Sequence, residues 1–237
     1  VNVPTSSIAR ESDLALPIFA GVEVGVASTK AFSSTLLVLA LLALKAAQDR
    51  GRLSADEVAT HLTDIALLPG LMNQTLAIEP KIAKIAKDLA KAQDILFLGR
   101  GTMYPLALEG ALKMKEISYI HAEAYASGEL KHGPIALIDA QMPVIVFAPL
   151  DSLFEKTVSN MQEVMARHGR VLLVSDNEGL SQAGGECWHT LAMPKVSELL
   201  APIIYAIPAQ LLAYHTAVAK GTDVDQPRNL AKSVTVE

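Results

Sequence analysis

From Ile95 onward, short apolar runs alternate with longer helix-patterned segments, and a chain built this way folds most simply as a parallel sheet covered by helices. Ile95 to Leu98, Met142 to Ala148, Val171 to Val174 and Trp188 to Met193 read as strands. Gly99-Arg100-Gly101-Thr102 turns the first strand into a helix over Tyr104 to Ser118. A second helix is expected from about Asp151 to His168 and a last one over roughly Leu199 to Ala219. Pro202 and Pro208 predict an early boundary or a kink in that last helix, because proline lacks the ladder donor and clashes with the preceding turn. With 51% apolar but only 5% aromatic residues, the composition fits helices on a sheet better than an all-β sandwich.

Before Asp94 the pattern is helical, and a domain line is expected there. Residues 1 to 27 carry turn formers at Pro4, Ser6, Ser7, Pro17 and Gly21 and read as a strand end followed by irregular connections. A helix is expected from Ser28 or Thr29 to Asp49, stopped by Gly51. It is apolar almost all round, which predicts burial on several sides and suits an interface. Ser54 and Glu57 have the spacing of a capping box, opening a helix that ends before Pro69-Gly70. Pro80 suits the first turn of another, through about Ala92.

The net charge of −5 and pI near 5.7 make no electrostatic case for nucleic acid or an anionic membrane, so a small metabolite is the expected partner. The single Cys187 excludes an intramolecular disulfide and a cysteine-based metal cluster; beside Trp188 it reads as a small core residue. That cysteine count fits the cytoplasm. Leu36 to Leu44 is too short to span a bilayer and lies between Lys30 and Lys45, as in a buried helix. Val1-Asn2-Val3-Pro4 has neither a basic start nor an apolar run, and with no initial Met the chain reads as the interior of a longer protein. The six histidines, at 61, 121, 132, 168, 189 and 215, show no metal-ligand spacing, and no metal is expected.

Ionisable residues crowd into Glu109, Lys113, Lys115 and Glu116, followed by His121, Glu123, Glu129, Lys131 and His132. On a helix Glu109, Lys113 and Glu116 share one face. A solvated ladder of charges is the ordinary reading. The neighbouring apolar strands and the small turn formers Ala126-Ser127-Gly128 and Gly133-Pro134 favour a ligand site, since such folds bind ligands in loops after the carboxyl ends of strands. His132 is equally compatible with acid/base work and with a capping role beside Gly133-Pro134. Val26, Ala27 and Ser28 precede the long helix and can offer N–H groups and a hydroxyl to a ligand, or Ser28 can cap its own helix. The turn Ala148-Pro149-Leu150-Asp151-Ser152 is a poor phosphate cradle, because Pro149 lacks a donor and Asp151 repels an anion. The polar end of the chain, from Gln226 to Glu237, mixes Pro, Arg, Asn and Lys with β-branched residues, as in an ordered tail laid over another surface.

Several of these stretches match a known pattern in register: Gly99-Arg100-Gly101, Ala107 to Lys113, Lys115 to Ser118, Ala122 to Tyr125, Gly128 to Pro134, Gly25 to Phe32 and the tail. They resemble the second sugar-isomerase (SIS) repeat of the glucosamine-6-phosphate synthases, amidotransferases that make glucosamine 6-phosphate from fructose 6-phosphate and glutamine. The resemblance implies a three-layer, flavodoxin-like α/β fold. Residues 1–93 would then end a first SIS repeat, 94–220 form the second, and 221–237 form a catalytic tail. It implies Glu116 as the base that moves a proton between C1 and C2, His132 as the ring-opening acid/base, and Lys113 as the group that tunes Glu116. Lys232 would contact the open-chain sugar, either directly or as an imine with its C2 carbonyl. Val26, Ala27, Ser28 and Ala231 would line the substrate. The resemblance further implies no metal or organic cofactor, and a homodimer in which His132 serves the neighbouring subunit. A glutaminase domain and the Ser/Thr-rich phosphate loop of the first repeat would lie outside this chain, which alone should bind sugar phosphate weakly and not turn it over. A sugar-phosphate sensor of SIS type is the competing function; it needs a phosphate loop but not Glu116, His132 and Lys232 together.

Overall fold

Strand β1 (Asp94–Gly99) is buried along all but its first residue, and a strand apolar on both faces is stable only between two covering layers. The computed structural model describes residues 1–232. It places β1 beside β2 (His121–Ala126) and β3 (Pro143–Phe147), followed by β4 (Arg170–Asp176) and β5 (His189–Met193). The order is β2-β1-β3-β4-β5 and every pairing is parallel. Side chains alternate between layers with the period of the pleat. Ile95, Phe97, Ile145, Phe147, Leu172 and Val174 enter the core that includes residues of α5 (Glu79–Leu89), α6 (Met103–Ser118) and α9 (Ala201–Lys220). Leu96, Leu98, Val144, Val146, Val171 and Leu173 enter the opposite one, under α7 (Phe154–Met165). The α/β three-layer expectation therefore holds.

The elements differ from expectation where local chemistry outweighs pattern. Strand β2 was not anticipated, because His121-Ala122-Glu123 reads as polar; it is an edge strand, and edges tolerate charge on their open side. A short helix α8 (Asn177–Ala183) was also not anticipated; Asp176 caps it by accepting from the N–H groups of Glu178 and Gly179. Helix α9 is continuous. Pro202 falls in its first turn, where no ladder donor is needed, and Pro208 is held inside a helix that packs against α4 (Leu68–Leu76), α5 and α6.

Among the described residues no strand precedes β1. Residues 1–27 hold only α1 (Ser7–Glu11), not a strand end. Both halves of the capping box form at α3 (Ala55–Ala66). Helix α3 ends at Ala66, before Pro69-Gly70 as expected; Pro69 then lies in the first turn of α4, a separate helix that the pattern did not announce, and Pro80 in that of α5. Helix α2 (Lys30–Asp49) departs most from expectation: within this chain it buries only Ala40 and Leu44 and exposes Leu39, Leu41 and Leu42. It is the one helix among the described residues long and apolar enough to cross a membrane by length and composition.

Candidate active site

Helix α6 can lie close to the sheet and to α9 because Gly110 has no side chain at the crossing; a Cβ there would stand 2.9 Å from the Phe97 ring and 3.5 Å from Ala209. The close seat carries the charged face of α6 inward. Lys113 is only 4% exposed, and its ammonium lies 3.8 Å from Glu109 and in hydrogen bond with Glu116. This excludes the solvated ladder. A buried ammonium persists only where carboxylates compensate it, so Glu109, Lys113 and Glu116 form one electrostatic unit. Burial pushes the Glu109 carboxyl up to about 7; Lys113 opposes that rise and the charge of Glu116 adds to it.

A carboxyl raised by folding costs stability once the unfolded chain ionises. The unfolded group titrates near its ordinary value of 4.5 and the folded one near 7, so this contribution to stability falls as pH rises between the two and stays low above 7. Glu109→Gln is therefore expected to raise the melting temperature at pH 8 while changing it little at pH 4. Calorimetry at the two values checks this; equal shifts at both would separate Glu109 from the charge unit.

The opposite wall comes from the segment before α2. Glu23 accepts from the N–H groups of Thr29 at 2.9 Å and Ala31 at 3.3 Å, with the Ser28 hydroxyl at 3.5 Å. These bonds satisfy donors at the start of a helix that has no side-chain cap of its own at Thr29. Ser28 is therefore not the cap. The Val26 N–H is taken as well, donating to the Asp225 carbonyl at 2.8 Å. Between the two walls lies a cleft of about 380 Å³, bounded by Glu23, Ala27, Lys30, Lys113, Gln210 and Tyr214 among others.

The tail closes this cleft from outside. Thr222 donates to the Ile117 carbonyl at 2.6 Å, and the Arg228 guanidinium stacks 4.2 Å from the centre of the Tyr119 ring while the backbone N–H of Arg228 donates to the Tyr119 hydroxyl at 2.8 Å. Tyr119 caps α6 in the left-handed conformation, φ +60°, which turns its ring toward the tail's path. The Lys232 ammonium ends the path 2.8 Å from Glu23. Together with the Lys232 ion pair, the N–H groups of Thr29 and Ala31 hold the Glu23 carboxyl below its ordinary value, against the opposing effect of burial.

Of the expected site residues Lys113 and Ala27 line the cleft itself; Glu116, Lys232, Ser28 and Val26 are each bonded to a residue of its wall, Lys113, Glu23, Glu23 and Asp225 respectively, and Ala231 is exposed on the tail. His132 is elsewhere. It is 73% exposed in the 3₁₀ segment Ser127–His132, bonded to Glu129 at 2.7 Å, and does not line the cleft. Residues 233–237 of the tail lie outside the described residues.

Sequence reasoning missed Glu23, Tyr119 and Asp225. Glu23 lies in an irregular segment with no periodicity to mark it, and Tyr119 looks like an ordinary helix end.

A second crevice of about 220 Å³ lies over the carboxyl ends of the strands, the usual ligand position of an open parallel sheet, and none of the expected site residues lines it. Two of its backbone donors are already used: the Leu150 N–H donates to Asp176 at 2.7 Å and the Leu153 N–H to Asp151 at 2.8 Å, which sets two carboxylates of the chain against an anion there. Among the described residues no group of three His, Cys, Asp or Glu side chains could hold a metal ion. Cys187 is half-buried, 3.9 Å from the Met161 sulfur, and burial pushes its thiol up to about 11.

A parallel five-stranded sheet with a charged helix face and a tail folded over it defines a class: residues 88–220, more than half of the chain, match the SIS domain, and the chain belongs to that family. The relatives narrow this further. Over 237 residues the chain is 62% identical to the glutamine–fructose-6-phosphate aminotransferase (isomerizing) of Zymomonas mobilis and spans 39% of that protein. It is 60% identical to the protein of the same name from Bradyrhizobium diazoefficiens, with the same share covered. The C-terminal domain of glucosamine-fructose-6-phosphate aminotransferase from Francisella tularensis superposes with a TM-score of 0.93 at 46% identity, over 95% of this chain and 63% of that one. Glucosamine-6-phosphate deaminase from Thermotoga maritima superposes with a TM-score of 0.68 at 25% identity, over 99% and 65%.

Proposed function

We propose that this chain is the sugar-isomerising portion of a glutamine–fructose-6-phosphate aminotransferase, acting where fructose 6-phosphate and glutamine-derived nitrogen become glucosamine 6-phosphate. One observation carries the reading: Lys113, bonded to Glu116, and Glu23, bonded to the Lys232 ammonium, line one cleft from two elements far apart in sequence. Together they supply what ketose-to-aldose chemistry needs. A carboxylate over C1 and C2 removes a proton from one carbon and returns it to the other, and Glu116 is that base. Lys113, held between Glu109 and Glu116, orients the base through their hydrogen bond. Lys232 meets the C2 carbonyl of the open chain, and as an imine it draws electron density away from C1 while the proton moves.

Ring opening is assigned to His132, which in this chain is exposed and far from depleted of freedom, as a residue serving a second subunit would be. The exposed Leu39, Leu41 and Leu42 of α2 support a homodimeric assembly and contact with segments preceding residue 1. In this reading 1–93 ends a first SIS repeat, 94–220 is the second, 221–237 is the catalytic tail, the setting is cytoplasmic, and the sugar phosphate is anchored by donors outside this chain.

The test is interconversion of fructose 6-phosphate and glucose 6-phosphate by the full-length protein without glutamine. The reading predicts slow but measurable conversion. Binding without any conversion would make the protein a sugar-phosphate sensor instead.

A further inference from the structure

The Lys232 ion pair is not needed for the fold of α2, since the bonds Glu23 receives from Thr29 and Ala31 already satisfy that helix start. Glu23 thus has one oxygen for the helix and the other for the tail: Oε1 accepts the N–H groups and Oε2 accepts the ammonium. Its side chain is 12% exposed and that of Lys232 44%, so the lysine reaches in from solvent to a fixed carboxylate. We propose that Glu23 is a positioning residue for Lys232, docking the tail beside the cleft until a sugar carbonyl replaces the carboxylate as the partner of the amine. This rests on the reading of Lys232 as the residue that meets the sugar.

The chemistry sets the limits of the role. Glu23, held below its ordinary value, is too weak a base to neutralise an ammonium near pH 7, so it places the lysine and does not activate it. Imine formation requires the ammonium to leave the carboxylate and give its proton to solvent; the free amine then adds to the C2 carbonyl, whose oxygen departs as water. Docking and reaction are therefore alternative states of one side chain. The other charged or titratable groups around the cleft are Lys30 of α2, Lys113 of α6 with its partners Glu109 and Glu116, Tyr214 of α9 and Asp225 of the tail. Lys30 is engaged with the Val22 carbonyl at 2.5 Å and Lys113 with its own carboxylates, which leaves Glu23 as the carboxylate bonded to Lys232.

The experiment uses the full-length protein in three forms: wild type, Glu23→Gln and Lys232→Arg. Glutamine keeps an oxygen for the helix N–H groups and loses the charge. Amide hydrogen exchange over 226–232 without substrate is expected to speed up about fivefold in Glu23→Gln, as for loss of one partly exposed ion pair, and to remain near wild type in Lys232→Arg. The concentration of fructose 6-phosphate that half-saturates borohydride trapping is expected to rise about fivefold in Glu23→Gln, because the tail is docked for less of the time. Unchanged exchange and unchanged half-saturation would overturn the proposal. Faster exchange with no trapping in any form would uphold the docking and reject the imine, so the two failures are distinguishable. Should Glu23→Gln fail to fold, Lys232→Gln leaves the helix start intact and must release the tail to the same degree.

Discussion

Glu116→Gln in the full-length protein is expected to lower isomerisation by about 10²- to 10⁴-fold while fructose 6-phosphate still binds. Glutamine preserves shape and one acceptor oxygen but cannot carry a proton between carbons. Binding should survive because the fold at this point is fixed by the apolar residues of α6, among them Met114, Ile117 and Ala111, which remain buried on its other side. Lys113 keeps Glu109 as a partner, so the ammonium is not stranded. The check is twofold: the rate of interconversion, and exchange of the C1 hydrogen with solvent deuterium. Exchange retained in the variant would remove Glu116 from the proton path even if turnover were lost.

The second large effect concerns what this chain lacks by itself. Alone, it is expected to bind fructose 6-phosphate at least ~10³-fold more weakly than the full-length protein and to show no turnover. A phosphate is held by convergent donors, each charge-assisted bond contributing roughly 1.5–3 kcal/mol, and in the proposed reading two or three of them belong to segments outside residues 1–237. The loop after β3 is a poor substitute, because the N–H groups of Leu150 and Leu153 already donate to Asp176 and Asp151. Without an anchored phosphate the sugar does not dwell over Glu116 and proximity is lost too. Isothermal titration of chain and full-length protein side by side reads the difference; micromolar affinity in the chain alone would place the phosphate site within it.

The sheet was legible because its strands obey a simple rule: Ile95 to Leu98 and Val171 to Val174 are apolar on both faces and bounded by turn residues. Strand β2 was not, since an edge strand needs only one buried face and His121 and Glu123 hide that pattern. The prolines were legible in part. Helix α3 ends before Pro69 as expected, but Pro69 also opens α4, which the pattern did not announce, and Pro208 looks like a break inside a helix that its neighbours hold together. For α2 the composition correctly signals an apolar surface, but composition cannot say which molecule covers it.

The site divides in the same way. The face shared by Glu109, Lys113 and Glu116 follows from helical spacing alone, and its burial follows from Gly110 at the crossing. Nothing in the spacing of Glu23 and Lys232 joins them. They are 209 residues apart, and their meeting depends on the tail's path across Tyr119 and Val26, set by tertiary bonds such as Val26 to Asp225. The resemblance placed Lys232 in the site but could not supply its partner.

The central claim is that the tail lysine and the α6 carboxylate act on one sugar. Borohydride reduction of the full-length protein with fructose 6-phosphate, followed by peptide mass spectrometry, tests it most directly. The account predicts a single reduced hexose-phosphate adduct, on Lys232, that also forms in Glu116→Gln because that variant binds the sugar without moving its proton. An adduct on Lys113 or Lys30 instead, or none at Lys232 under conditions where the enzyme turns over, would contradict it.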